Sequence, residues 1–224
     1  MPTLYLTGAS GGLGRSIRQY YLDRGWNVAG FDLQADDFSH DMYRYIPFDS
    51  GNDASVTSAF AEANAAFGAP RALIATIGGI APWATVDEMS VEDFDFVWRL
   101  NVVSSFLSIR HALKLMKPAA VGSIVTIGAE TALQPEPRKT AYVAAKAAVI
   151  AMTQTVAHET KEYGVNANCI VPTVIHTKAN EEWGSPEEIR RWTAPEDIAA
   201  LCFHLSSDSG AAINGAVIRI PNKL

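Results

Sequence analysis

Cysteine is scarce in this chain, and its scarcity excludes two chemistries. Only Cys169 and Cys202 are present. Their wide separation matches no metal-ligand spacing and gives no disulfide framework. Cys169 sits in an apolar run and reads as a buried, inert thiol. Positive charge is also in deficit: 18 Lys and Arg against 24 Asp and Glu leave a net charge of −6. That balance argues against nucleic acid or an anionic membrane surface as a partner. No apolar run is long enough to span a bilayer, and the first residues lack the basic and apolar segments of a cleavable signal. A cytoplasmic protein that binds no metal, nucleic acid or membrane is expected. Linkers, repeats and low-complexity tracts are missing too, so one domain over residues 1–224 is predicted. At 48% apolar residues, that length suffices for a substantial core.

What is present alternates between two patterns. Short apolar runs at 3–7, 26–31, 44–48, 71–77, 121–127, 164–171 and 215–220 read as strands. Helical patterns follow Gly14 as far as Gly25 and cover 53–67, 90–116, 140–159 and 195–206, while 36–43 is polar and loop-like. Strands alternating with helices predict an α/β fold, a parallel sheet with helices on both faces. In such sheets ligands gather outside the carboxyl ends of the strands.

Chemistry-bearing residues collect at those ends. The first strand runs straight into Gly8-Ala9-Ser10-Gly11-Gly12-Leu13-Gly14 and then a helix. Glycines there permit a tight turn and close backbone approach to a pyrophosphate, and the helix start offers free N–H groups to the anion. Asp32 closes the second strand, eighteen residues past Gly14, where a carboxylate can accept from the adenosine ribose hydroxyls and repel a 2′-phosphate. No basic group stands in the glycine loop before Gly14 or just after Asp32, so NAD is favoured over NADP. Further along, Tyr142-Val143-Ala144-Ala145-Lys146 places a phenol and an ammonium on one face of a helix. A nearby cation favours the ionised phenol, so such a pair can exchange a proton with a substrate.

The ordered set Thr7-Gly8-x-x-x-Gly12-x-Gly14, Asp32, Asp49, Asn101, Tyr142-x-x-x-Lys146 and Pro195-Glu196-Asp197-Ile198-Ala199 resembles the short-chain dehydrogenase/reductase family over nearly the whole chain. The resemblance implies a Rossmann-like, doubly wound parallel sheet of about seven strands and hydride transfer with a nicotinamide cofactor, here NADH. It implies Tyr142 as proton donor or acceptor and Lys146 as the group that lowers its pKa and holds the nicotinamide ribose. Asn101 would keep a water on the proton relay. It further implies that Gly8, Ser10, Gly12, Leu13, Gly14, Asp32, Asp49, Ala75, Gly78, Lys146, Pro172 and Thr177 bind the cofactor. Residues 173–193 would cover a small-molecule substrate, and the helices at 90–116 and 140–159 would form a homodimer or homotetramer interface.

Three departures from the family pattern stand out. The Asn-Asn-Ala-Gly segment reads Ala75-Thr76-Ile77-Gly78, Pro-Gly reads Pro172-Thr173, and the serine thirteen residues before the tyrosine is Ala129. Losing one donor to a substrate carbonyl can cost roughly 10²–10³ in turnover. Either Thr126, Glu130 or Thr131 substitutes, giving an alcohol or carbonyl dehydrogenase, or the substrate does not need the donor. For the latter, Gly128-Ala129-x-x-Ala132-Leu133, Gly78-Gly79, Pro172 with Thr177 and Asn180, and Trp192-Thr193 resemble the quinonoid dihydropteridine reductase subfamily. Its electron-poor acceptor is already primed for hydride. A dinucleotide-binding sensor that has lost chemistry is the third reading. Trp83, His176, Trp183 and Trp192 can either face a flat substrate or pack the loops that carry them.

Overall fold

Seven strands form one parallel sheet in the order β3-β2-β1-β4-β5-β6-β7. They are β1 (Thr3–Thr7), β2 (Asn27–Asp32), β3 (Tyr43–Pro47), β4 (Ala72–Ala75), β5 (Gly122–Ile127), β6 (Val165–Pro172) and β7 (Val217–Ile220). The computed structural model describes residues 1–35 and 37–222. Asp36, which opens the polar stretch expected after the second strand, lies outside the described residues. Helices cover both faces of the sheet, as expected. On one side α1 (Gly12–Leu22) and α8 (Pro195–Ser206) bury Ile17, Tyr21, Ile198 and Cys202 against Leu4, Leu6 and Ile74. On the other, α2 (Asp53–Phe67), α4 (Ser104–Ala119) and α5 (Thr140–Thr160) bury Phe60, Met116 and Val156 against Tyr5, Phe31 and Ile124. A strand covered on both faces has no polar side, which is why β1, β4 and β5 are buried along their full length.

The register sets the functional end of the sheet. Thr7 lies level with Phe31 of β2 and Ala75 of β4, and Ala75 lies level with Thr126 of β5. The segments that follow β1, β2, β4 and β5 therefore leave the sheet at one height. The chain runs from β1 out to β3 and returns on the other side of β1 with β4, so the crevice between β1 and β4 is a topological switch point.

Two expected elements differ. The helix predicted over 90–116 is split into α3 (Val91–Trp98) and α4, with one wide turn at Arg99–Val103 between them. The Asn101 amide donates to Val97 O at 2.8 Å and to Gly79 O at 2.9 Å, tying the loosened turn to the loop after β4. Wide turns of this kind are frequent at functional sites. The stretch 173–193, expected as a loop, holds two short helices, α6 (Lys178–Glu181) and α7 (Pro186–Arg191). The Ser185 hydroxyl accepts from the Glu188 N–H, and the Glu188 carboxylate accepts from the Ser185 N–H, so α7 starts from a capping box. Among the described residues no helix is long and apolar enough to cross a membrane.

Candidate functional site

The glycine loop is shaped by contacts only glycine allows. Gly8 sits at φ +72°, a left-handed conformation, and its N–H donates to Phe31 O at 2.8 Å. A Cβ on Gly14 would stand 2.0 Å from Gly8 O, a backbone atom that cannot turn aside. Gly12 faces Thr177: a Cβ there would lie 2.9 Å from the threonine's methyl carbon. Among the described residues no side chain caps the start of α1. Leu13 buries its side chain in the core, leaving only its backbone toward the loop. The result is an open backbone cradle at a helix start, the shape and polarity a pyrophosphate needs.

Ser10 and Asp32 meet beside it. The Ser10 N–H donates to one Asp32 carboxylate oxygen at 3.0 Å, and the Leu33 N–H donates to the other at 2.8 Å. The Ser10 hydroxyl donates to Gln34 O. The carboxylate is thus fixed by backbone at the tip of β2, with lone pairs left for a diol. Asp49 stands apart, exposed past the end of β3, with one oxygen accepting from Gly51 N–H.

Tyr142, Lys146, Asn101 and Gly78 come together at the other end. Lys146 is 5% exposed, and its ammonium donates to Ile127 O at 2.8 Å. The ammonium nitrogen is 5.7 Å from the centre of the Tyr142 ring. A Cβ on Gly78 would stand 2.6 Å from Asn101 Oδ1 and 2.9 Å from Lys146 Nζ, so glycine lets the loop after β4 pass between them. Burial pushes Tyr142 up to about 12. Burial also brings Lys146 down to about 8. Desolvation disfavours the charged form of each group. Near neutral pH the pair is a protonated phenol beside an ammonium. Ala75 and Pro172 end β4 and β6 at the rim of the same crevice.

The three candidates to replace the serine separate cleanly. Thr126 is fully buried, and its hydroxyl is 2.7 Å from that of Thr153, turned into the core. Glu130 is taken by Arg219, with Nε donating at 3.1 Å. The Thr131 hydroxyl is buried and has no hydrogen-bond partner among the described residues. Ala129 itself is buried.

In the segment after β6, Trp192 is 3% exposed and Trp183 leans on it at 5.0 Å between ring centres. These rings pack the segment to itself, and Trp192 is unavailable to a heterocycle. His176 is held 2.6 Å from a Glu181 carboxylate oxygen. Cys169 is buried, as predicted, and burial pushes its thiol up.

One feature near β2 was not legible in the sequence. Arg15 and Arg18, on α1, line a cavity of about 540 Å³ with Ala35, Asp37 and Phe38 just beyond β2. Three-residue spacing on a helix was the available signal, but their meeting with 35–38 is tertiary.

Comparison with known proteins gives the family and the fold. A family model described as enoyl-(acyl carrier protein) reductase matches residues 8–221. D-threitol dehydrogenase of Mycolicibacterium smegmatis is 30% identical over 229 residues, covering 94% of this chain and 88% of that protein. Among solved structures, 3-ketoacyl-(acyl-carrier-protein) reductase from Brucella melitensis complexed with NADH superposes with a TM-score of 0.91. It covers 98% of this chain and 96% of the other at 21% identity. ElxO with NADP bound gives a TM-score of 0.92 at 21% identity, covering 98% and 97%. At that identity these two likenesses are of fold alone.

Proposed function

The chain belongs to the short-chain dehydrogenase/reductase family, and on that premise we propose that it is an NADH-dependent reductase of a flat, electron-poor acceptor of the quinonoid dihydropterin kind. The observation that carries the reading is the crevice cluster of Tyr142, Lys146, Asn101 and Gly78. It sets a protonated phenol beside an ammonium at the carboxyl ends of β4 and β5. When bound, the nicotinamide supplies the hydride. Gly8, Gly12 and Gly14 would hold the pyrophosphate through backbone N–H groups, and the Asp32 carboxylate would accept from the ribose hydroxyls. Its charge beside the 2′ position supports NAD over NADP, while Arg15 and Arg18 on the neighbouring helix face weigh the other way. The Asp32 carboxylate ends β2 and is held against the glycine loop through Ser10 N–H, which is the ground for preferring NAD.

A phenol with a pKa of about 12 keeps its proton at neutral pH and serves as an acid, which suits reduction. Lys146 keeps its charge below about pH 8 and would orient the ribose. Ala129 offers no hydroxyl, which fits an acceptor that needs hydride and one proton but no polarised carbonyl. The unengaged Thr131 hydroxyl favours a second reading, a carbonyl or alcohol dehydrogenase with Thr131 in the serine's place. Residues 173–193 would cover the substrate. A homodimer or homotetramer belongs to the same proposal, supported by an apolar groove between α4 and α5 that includes Phe106, Leu113 and Met152.

The test is NADH oxidation with quinonoid dihydropterin, with Tyr142→Phe as control. Fast turnover that falls at least about 10²-fold in the variant, with unchanged NADH affinity, is the expected result. Tight NADH binding without pterin turnover would sink the pterin reading and turn the search to carbonyl substrates or a sensing role.

A further inference from the structure

We propose that Trp83 is the platform on which a planar acceptor lies while Tyr142 reaches it. This deepens the reading above and rests on it. The chain leaving β4 passes Lys146 and Asn101 at Gly78, then climbs to Ala84, which pairs as an isolated parallel bridge with Lys139. Lys139 immediately precedes α5 and stands three residues before Tyr142. Helix side chains lean toward the N-terminus of their helix, so the phenol leans toward the turn carrying Lys139. The Lys139 ammonium lies 4.9 Å from the centre of the Trp83 ring and is itself held 2.7 Å from a Glu136 carboxylate oxygen. Trp83 is thereby held beside the N-terminal end of α5, the helix that carries Tyr142.

The ring is nevertheless 47% exposed. Trp26 and Trp192 are buried, Trp98 stacks on Phe94, and Trp183 leans on Trp192. Among the described residues no aromatic ring packs against Trp83. A large indole left open beside a crevice, with a tethered cation on one face, presents a flat apolar surface to whatever enters. An electron-poor conjugated ring gains from offset stacking on it, whereas an aliphatic ketone or polyol gains little. Trp83 is therefore a specificity-determining residue for ring-shaped acceptors.

Trp83→Ala and Trp83→Phe test this. For quinonoid dihydropterin, Trp83→Ala should raise KM about tenfold, the upper end of what a stacked aromatic pair contributes. It should leave kcat and the NADH Kd unchanged, and Trp83→Phe should restore most of the loss. Kinetics with an aliphatic ketone should not move. A rise in KM for ketone and pterin alike would overturn the proposal. A readout independent of turnover is the Trp83 indole N–H resonance, assigned by its loss in Trp83→Phe. Stable oxidised pterin added to the NAD-loaded protein should shift it. An unshifted resonance overturns the platform even where turnover is found. A shift without pterin reduction keeps the platform and rejects the pterin reading instead.

Discussion

Raising the pH from 7 toward 9.5 should discharge one buried ammonium before the phenol beside it changes. Lys146 is nearly inaccessible and its ammonium donates to the Ile127 carbonyl. That environment brings its pKa from the ordinary 10.5 to about 8, while Tyr142 stands at about 12. Cys169, whose charge couples to Lys146, is pushed up by burial and keeps its proton over the lower part of this range. A single titrating proton shifts its ratio tenfold per pH unit, so the charged form dominates at pH 7 by about ten to one and is the minority by the same factor at pH 9. With the ammonium orienting the nicotinamide ribose, kcat/KM for NADH, which reports the free enzyme, should be level to about pH 7. It should halve near 8 and fall about tenfold for each further unit. Steady-state rates and NADH fluorescence titrations at constant ionic strength give the profile. In Lys146→Arg the guanidinium stays charged throughout, so the falling limb should vanish whatever the absolute loss of activity. A midpoint near 10.5 would mean that the ammonium is solvated in the working protein. A limb unchanged in Lys146→Arg would mean that another group titrates.

Four further substitutions have expected outcomes. Asp32→Ala should relax the preference for NADH over NADPH, measured as the ratio of the two kcat/KM values; an unchanged ratio would move selectivity to the Arg15 and Arg18 side. Gly14→Ala drives a methyl into the Gly8 carbonyl, so nucleotide binding should be lost. Overpacking of roughly 1–3 kcal/mol should lower the melting temperature by several degrees, at about 2–4 °C per kcal/mol; a wild-type Tm and Kd would refute the contact. Thr131→Val should abolish carbonyl turnover if its hydroxyl replaces the serine and should change pterin turnover less than about threefold, whereas Ala129→Ser should restore carbonyl turnover by up to roughly 10²-fold.

The sheet was readable because its strands are covered on both sides and therefore appear as unbroken apolar runs. The split between α3 and α4 was not readable. The wide turn keeps the apolar spacing intact, and its anchor is Gly79, a distant residue in sequence. The two helices inside 173–193 are too short to show a period, although Ser185-Pro186-Glu187-Glu188 carried a capping signal that was legible. Glycine loop, Asp32, Tyr142, Lys146 and Asn101 were identifiable from residue order, and the structure brings them to one rim. Burial was the hidden quantity. It turned Thr126 into the core, withdrew Trp192 from the crevice and raised the Tyr142 pKa.

The loop after β4 behaves as a span with a support at each end. Asn101 grips it at Gly79, and the bridge to Lys139 grips it at Ala84. Between those supports the chain has a fixed distance to cover, so one inserted residue would bow it outward and carry Trp83 away from the start of α5. Beyond Ala84, toward the exposed Asp87–Glu88 turn, added length meets only solvent. Variation in loop length should therefore be accepted after Ala84 and refused before it, and a library that randomises this loop should keep its first half at constant length while varying composition.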